Sequence, residues 1–244
     1  MRIIVLNLTI DIGNTQTKLG FFDGSELKST QNFANTENIP WQLIVSSNKI
    51  TNSILSQVGN AKSNLEVLYN NTKCIKVNHE LQLPFTSDYA PFTNLGIDRV
   101  VGLAAASYLF PHENVLIIDA GTCITYDLMN SNAHHLGGVI SPGLMMRYQA
   151  MHKLTYQLPD LEIQEPSLFP PTSTDEAMHH GVISSVTAEM DSFIDRFGTF
   201  IPTFRIILTG GDASFLSKRV KNGILADENF LTIGLNFLLE TNKS

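Results

Sequence analysis

The chain has 244 residues, 43% of them apolar and 16% charged, with a formal net charge of −7 at pH 7. That length accommodates two modest domains of roughly 100–150 residues or one large one, with enough apolar side chains for a sizeable core. The acidic balance without a Lys/Arg cluster excludes a nucleic-acid surface, no apolar run approaches the ~18 residues that span a bilayer, and Cys74 and Cys123 offer neither a disulfide framework nor metal-ligand spacing, which suits a reducing cytoplasm.

Residues 3–11 and 16–23 predict paired strands rich in Ile, Val, Leu and Phe. The first is broken by Asn7 and ends in Asp11 without a small-residue cleavage site, so it reads as a buried strand and not as a signal peptide. Asp23-Gly24 marks a turn into a third strand near 26–32. Trp41 to Ser46 is expected as a short strand, 51–59 as a polar helix, and 65–69 and 74–77 as strands. From His79 to Asn94, Pro84, Pro91 and Asp88-Tyr89 interrupt any periodicity and predict a long loop of the kind that carries function. Ile97 to Phe110 reads as a helix with a small apolar face of Val101, Ala104 and Ala105, stopped by Pro111. The domain boundary falls there, dividing the chain into 1–110 and 111–244.

The second half restarts the pattern. Val115 to Ile118 is an apolar strand, Tyr126 to Met129 its returning partner, and Gly137 to Gly143 a glycine-bounded strand leading to a helix near 144–157. Ser173-Thr174-Asp175-Glu176 has capping-box form. The helix it opens reaches about Phe197, with Val182, Val186, Met190, Phe193 and Phe197 at helical intervals. Phe204 to Leu208 is a buried strand, Thr209 to Asp212 a turn, Ser214 to Val220 a short helix and Asn229 to Thr241 a closing helix. Strand hairpins and helices alternating in both halves predict an α/β fold of two similar domains hinged over a cleft. His79, His134, His135, His179 and His180 show no ligand spacing, are expected mostly at the surface and receive no role.

One phrase occurs twice: Ile10-Asp11-Ile12-Gly13-Asn14-Thr15 with Thr17 and Lys18, and Ile118-Asp119-Ala120-Gly121-Thr122-Cys123 with Thr125 and Tyr126. Each brings an Asp to the end of a strand, followed by a Gly that permits close backbone approach and a hydroxyl in the turn. A single Asp-x-Gly is an ordinary hairpin turn. Two predict a phosphate and cation cradle made twice, its backbone N–H groups holding the polyphosphate of ATP and its carboxylates the accompanying cations.

These hairpins, with Leu208-Thr209-Gly210-Gly211-Asp212, resemble the ATPase superfamily of actin, sugar kinases and heat-shock ATPases. Within it, Asp11 to Lys18, Gly96-Ile97-Asp98-Arg99, Asp119 to Thr122, Gly138-x-Ile140-x-Pro142-Gly143 and Gly210-Gly211-Asp212 follow in the order of type III pantothenate kinase, from Asp11 to the closing helix. The resemblance implies two ribonuclease H-like domains, each a mixed sheet flanked by helices, with an inter-domain cleft. It implies transfer of the γ-phosphoryl of ATP to pantothenate, the first step of coenzyme A synthesis, in a cytoplasmic homodimer.

Residue by residue, it implies that Asp11, Ile12, Gly13, Asn14, Thr15, Gln16, Thr17, Lys18, Thr122, Gly210 and Gly211 meet ATP, with Asp11 ordering Mg²⁺ through water and Lys18 acting as a point charge. Asp119 is assigned to the monovalent cation, K⁺ or NH₄⁺. Asp98 is the catalytic carboxylate that receives the substrate hydroxyl, and Tyr89, Gly96, Ile97, Asp98 and Arg99 contact pantothenate, as does Thr174 from the neighbouring subunit. A carboxylate at a helix N-terminus is favoured in its charged form, which suits it to orient a nucleophile. A planar guanidinium at Arg99 suits the substrate carboxylate or transition-state charge. Cys123, where the family commonly has Ala, reads as a packing change. Two other readings remain open on the same fold: a non-catalytic regulator, and a kinase for another small hydroxylated substrate such as a sugar.

Overall fold

The computed structural model describes residues 6–60, 64–221 and 225–243. Residues 3–5 of the expected first strand lie outside them. Contacts group the chain into two compact units. The first contains the residues up to His112, Asn132–Leu136 and the segment from Asn229 on; the second contains Glu113–Ser131 and Gly137–Glu228.

The first unit is built on the hairpin of β1 (Asn7–Ile12) and β2 (Gln16–Asp23), extended by β3 (Glu26–Ala34). After α1 (Trp41–Ser47) come β4 (Asn52–Gln57), α2 (Glu66–Asn71) and β5 (Lys73–Lys76), giving the sheet order β3-β2-β1-β4-β5. Leu8, Ile10, Ile12, Leu19 and Phe21 pack on Ile39, Trp41, Ile44, Val45 and Leu68. The short β6 (Thr86–Ser87) and a 3₁₀ turn at Phe92–Asn94 interrupt the long loop, and α3 (Ile97–Leu109) follows.

Three expected elements are of the other type. Trp41 to Ser46 is helical: its buried residues, Trp41, Ile44 and Val45, lie at i, i+3 and i+4, and this period prevails over the β-branched composition. Residues 51–59 contain the strand β4 and no helix. Ser53 and Ser56 are buried there because β4 is an inner strand, parallel to β1 on one side and β5 on the other. Residues 65–69 begin α2, whose first turn is anchored by Asn64 Oδ1 accepting the Glu66 N–H at 3.0 Å.

The second unit repeats the plan with β7 (Val115–Ala120), β8 (Cys123–Asn130), β9 (His134–Pro142, whose first three residues group with the first unit), α4 (Leu144–Leu154) and α5 (Thr174–His179). A π-helical turn at His180–Ser184 joins α5 to α6 (Ser185–Gly198), so the expected long helix is continuous but locally underwound. Then follow β10 (Arg205–Thr209), α7 (Ala213–Leu216) and β11 (Leu225–Ala226). The strands run β9-β8-β7-β10-β11, the same succession as β3-β2-β1-β4-β5, with β7 antiparallel to β8 and parallel to β10 as β1 is to β2 and β4. Tyr126, Tyr148, Val182, Val186, Met190 and Leu208 are central to its core.

The closing helix α8 (Phe230–Asn242) belongs by its contacts to the first unit, where it packs on α3, β1 and β4. Gly234 permits the close crossing: a Cβ there would lie 2.5 Å from the Val101 carbonyl oxygen and 2.9 Å from Ala105 Cβ. Asn7 Nδ2 donates to Asn236 Oδ1 at 3.3 Å, and Asn236 Nδ2 to the Gly24 carbonyl at 2.9 Å. No helix among the described residues is long and apolar enough to cross a membrane.

Candidate active site

In the first unit the hairpin places Asp11 at the end of β1, opposite Lys18 on β2 and Ser56 on β4. The turn is held from outside. Asn35 Nδ2 donates to the Gly13 carbonyl at 2.8 Å, the Asn35 N–H to the Thr15 carbonyl at 3.0 Å, and Thr17 Oγ1 to Asn35 Oδ1 at 2.9 Å. Gly59 closes against the same turn, since its own Cβ would fall 2.0 Å from the Gly13 oxygen, while its N–H donates to the Ile12 carbonyl at 3.1 Å. Asn14, Thr15 and Gln16 are exposed at the tip, whereas the side chains of Ile12 and Thr17 are fully buried beneath it.

The Asp11 carboxyl is pushed up to about 6, first by burial and also by the neighbouring Asp98 carboxylate; the Ser56 hydroxyl and Lys18 oppose the shift. Asp11 and Asp98 therefore feel each other although 87 positions separate 11 from 98. Asp98 lies in the first turn of α3, its Oδ1 accepting the Arg99 N–H at 2.9 Å. Gly96, the N-cap, makes room for that carboxylate: a Cβ would lie 2.5 Å from Asp98 Oδ1. Arg99 is only 5% exposed and lays its guanidinium over the Tyr89 ring at 5.1 Å. Gly96, Ile97, Asp98, Arg99 and Tyr89 thus gather at one end of α3.

In the second unit Asp119 takes the place on β7 that Asp11 has on β1, facing Thr125 on β8 and Thr209 on β10. Gly210, at φ 96°, approaches so closely that a Cβ would lie 2.4 Å from both the Ala120 oxygen and Asp119 Oδ1. Gly143 does the same on the other side, 2.1 Å from the Gly121 oxygen, and its N–H donates to the Thr122 carbonyl at 3.1 Å. The turn 121–122 is therefore walled by backbone, with Thr122 and Gly211 exposed.

Sequence reasoning missed what holds Gly143 in place. Arg147 donates to the Pro142 carbonyl at 2.9 Å and to Ser141 Oγ and Glu189 Oε2, both at 2.8 Å, and the buried Tyr126 hydroxyl meets Glu189 Oε1 at 3.5 Å. Glu189 on α6 is one helical step from the Val186–Met190 apolar stripe, so periodicity hid it.

Thr174 is the exposed first residue of α5. Ser173 caps as expected, accepting the Glu176 N–H at 3.3 Å. Glu176 turns away to bond the N–H and hydroxyl of Ser167, which holds its carboxyl below the usual range. The surface expectation for the histidines is corrected at two of them. His135 is fully buried and His179 is 4% exposed, its Nδ1 2.8 Å from the Tyr148 hydroxyl. No cluster of three His, Cys, Asp or Glu suited to a metal exists among the described residues.

A family model described as type III pantothenate kinase matches residues 7–196. The type III pantothenate kinase of Flavobacterium psychrophilum is 41% identical over 243 residues, covering 97% of this chain and 99% of that protein. That of Christiangramia forsetii is 39% identical, with 98% and 100% covered. Among solved structures, a protein from Campylobacter jejuni described as a Baf family transcriptional activator aligns with a TM-score of 0.61 at 24% identity, covering 96% of this chain and 97% of that one. The activator of 2-hydroxyisocaproyl-CoA dehydratase from Clostridium difficile, with bound ADPNP, aligns with a TM-score of 0.56 at 13% identity, covering 96% and 94%.

Proposed function

The chain belongs to the type III pantothenate kinase family, and from that premise we propose the roles of its residues. The reaction is the ATP-dependent, Mg²⁺-supported phosphorylation of pantothenate in coenzyme A synthesis. Phosphoryl transfer asks a protein chiefly for positioning and charge stabilisation. Asp98 receives the pantothenate hydroxyl and orients it, and Arg99, with Tyr89, Gly96 and Ile97, holds the acceptor. Asp11 holds Mg²⁺ through water, and the turn residues Gly13 to Gln16, with Lys18, meet phosphate oxygens. Ile12 and Thr17 support that turn from below. Thr122, Gly210 and Gly211 serve the nucleotide.

The donor set fits the cation. Mg²⁺ takes one or two carboxylates, waters and phosphate oxygens and needs no protein cage. A half-buried carboxyl with a raised proton affinity, close to a second carboxylate, is a place where a divalent ion stabilises the charged form. Asp11 would hold the ion there, and the ion would supply positive charge against the phosphates. Asp119 is the proposed ligand for K⁺ or NH₄⁺, supported by the oxygen-lined turn around it. A homodimer with Thr174 contributed across subunits, in the cytoplasm, completes the proposal. Ile140, Leu154 and Tyr156, 59%, 84% and 100% exposed, supply apolar surface for such an interface.

The nearness of Asp11 to Asp98 supports the reading, since a cation ligand and a hydroxyl acceptor must share one neighbourhood. Coupled ADP release, assayed with pantothenate in the presence and absence of K⁺, tests it. Turnover is expected only with both, and Asp98→Ala should lower kcat by roughly 10²–10⁴ while leaving the fold intact. Near-normal turnover by that variant would remove Asp98 from the mechanism, and equal turnover without K⁺ would remove the role of Asp119.

A further inference from the structure

The segment Asn132–Leu136 groups with the first unit, and there it reaches the acceptor end of α3. β6 and β9 pair in parallel, Thr86 with His134 and Ser87 with His135, and the Asp88 N–H donates to the His135 carbonyl at 3.0 Å. On the side-chain level a stack results. The Arg99 guanidinium lies 5.1 Å from the centre of the Tyr89 ring, and Tyr89 lies against His135, with ring centres 6.3 Å apart and planes inclined by 17°. His135 has no exposed surface and its Nδ1 is 2.7 Å from Ser87 Oγ. The same Ser87 oxygen accepts the Tyr89 N–H at 3.0 Å.

We propose that Ser87 and His135 are positioning residues for the pantothenate carboxylate, fixing the Tyr89 ring and through it the plane of the Arg99 guanidinium. This rests on the reading of Arg99 as the acceptor's holder and adds to it a source of specificity. A guanidinium binds a carboxylate through two parallel N–H bonds only when its plane is right, so an ordering of that plane favours a carboxylate over a neutral group. A ring lying nearly parallel to a buried imidazole, with its main chain tied to Ser87, keeps a constant tilt beside the guanidinium. The buried imidazole is itself held by Ser87, 48 residues away in the chain. Ser87 is thus the common partner of both members of the stack beneath Arg99.

The test compares Ser87→Ala, Ser87→Thr, His135→Phe and Arg99→Ala in the full-length enzyme, with pantothenate and with panthenol, which carries an alcohol in place of the carboxylate. His135→Phe keeps a ring in the stack and removes its bond to Ser87. Ser87→Ala and His135→Phe are expected to raise the KM for pantothenate about tenfold, with kcat and the KM for ATP within about twofold. The preference for pantothenate over panthenol should fall by the same factor. Ser87→Thr, which keeps the hydroxyl, should restore both. The Ser87→Ala/His135→Phe double variant should be no worse than Ser87→Ala alone, since the serine change already breaks the bond that His135→Phe removes.

Wild-type pantothenate KM in folded Ser87→Ala and His135→Phe, alongside a raised KM in Arg99→Ala, overturns the positioning role and leaves Arg99 in place. A fall in kcat with unchanged substrate preference overturns it too, because that is what general loosening produces. If Arg99→Ala also leaves the pantothenate KM unchanged, the acceptor reading of Arg99 falls and this inference falls with it.

Discussion

Asp11 carries the sharpest conflict between stability and use. Its carboxyl has a folded-state value of about 6 against an ordinary 3.8, so the folded chain binds this proton more tightly than the unfolded one. The associated stability is complete below about pH 4 and is lost as the pH rises through about 6, approaching a cost of ~3 kcal/mol at neutral pH. Asp11→Asn should therefore raise the melting temperature of the nucleotide-free protein at pH 7.5 by roughly 6–12 °C and leave it nearly unchanged at pH 4, while abolishing Mg-ATP turnover. Calorimetry at the two pH values checks the first part; an equal shift at both would refute it. In the native enzyme kcat/KM for Mg-ATP should decline as the pH falls below about 6, because only the charged form serves the cation. Gly96 presents a second residue-scale case. The atom that a Cβ would strike is the Asp98 carboxylate itself, not backbone, so Gly96→Ala should displace that carboxylate and leave the fold alone. A drop in kcat of about tenfold or more with an unchanged melting curve is expected; unchanged kcat would show that the carboxylate tolerates the push.

At the level of elements, the α3–α8 crossing depends on small residues. Ala104, Ala105 and Ala106 are fully buried on α3, and Gly234 meets the Val101 carbonyl. Here the obstacle to a side chain is main chain, so Gly234→Val should cost upwards of ~2 kcal/mol and expose itself as a lower urea midpoint. Legibility in the sequence followed the same physics. The two hairpins were readable because a duplicated Asp-x-Gly at the ends of apolar runs is improbable as a mere turn, and the long helices because their apolar residues keep helical intervals. Trp41 to Ser46 reads in the sequence as a strand and 51–59 as a helix, each the other's class. In the first, β-branched residues masked an i, i+3, i+4 spacing. In the second, Ser53 and Ser56 made an inner strand look solvated, although Ser53 finds Thr72 at 2.6 Å and Ser56 faces Asp11. The roles of Asn35, Glu189 and His135 were invisible because each acts through bonds to residues distant in sequence. Such long-range partners leave no local period.

For the whole molecule, the duplicated topology means that each unit brings one Asp-bearing hairpin, a flanking parallel strand and a glycine that presses on the turn: Gly59 in one, Gly210 in the other. The proposed sharing of Thr174 between subunits is tested by mixing. Asp98→Ala and Thr174→Arg should each be nearly inactive alone, and co-refolded in equal amounts they should recover about a quarter of wild-type activity, since half of the dimers are mixed and each mixed dimer holds one intact site. No recovery, with dimers present by sedimentation, would place Thr174 outside the partner's site. The membership of α8 in the first unit bears on how the molecule is made. Every residue of the second unit precedes Asn229, while the first unit waits for Phe230, Leu235, Leu238 and Leu239 to cover α3 and β1. The first unit can therefore close its core only once α8 has been made, and Asp11 and Asp98 have a finished scaffold only with that helix in place. A chain shortened before Phe230 should accordingly lack turnover, with the first unit's apolar face on α3 and β1 left uncovered.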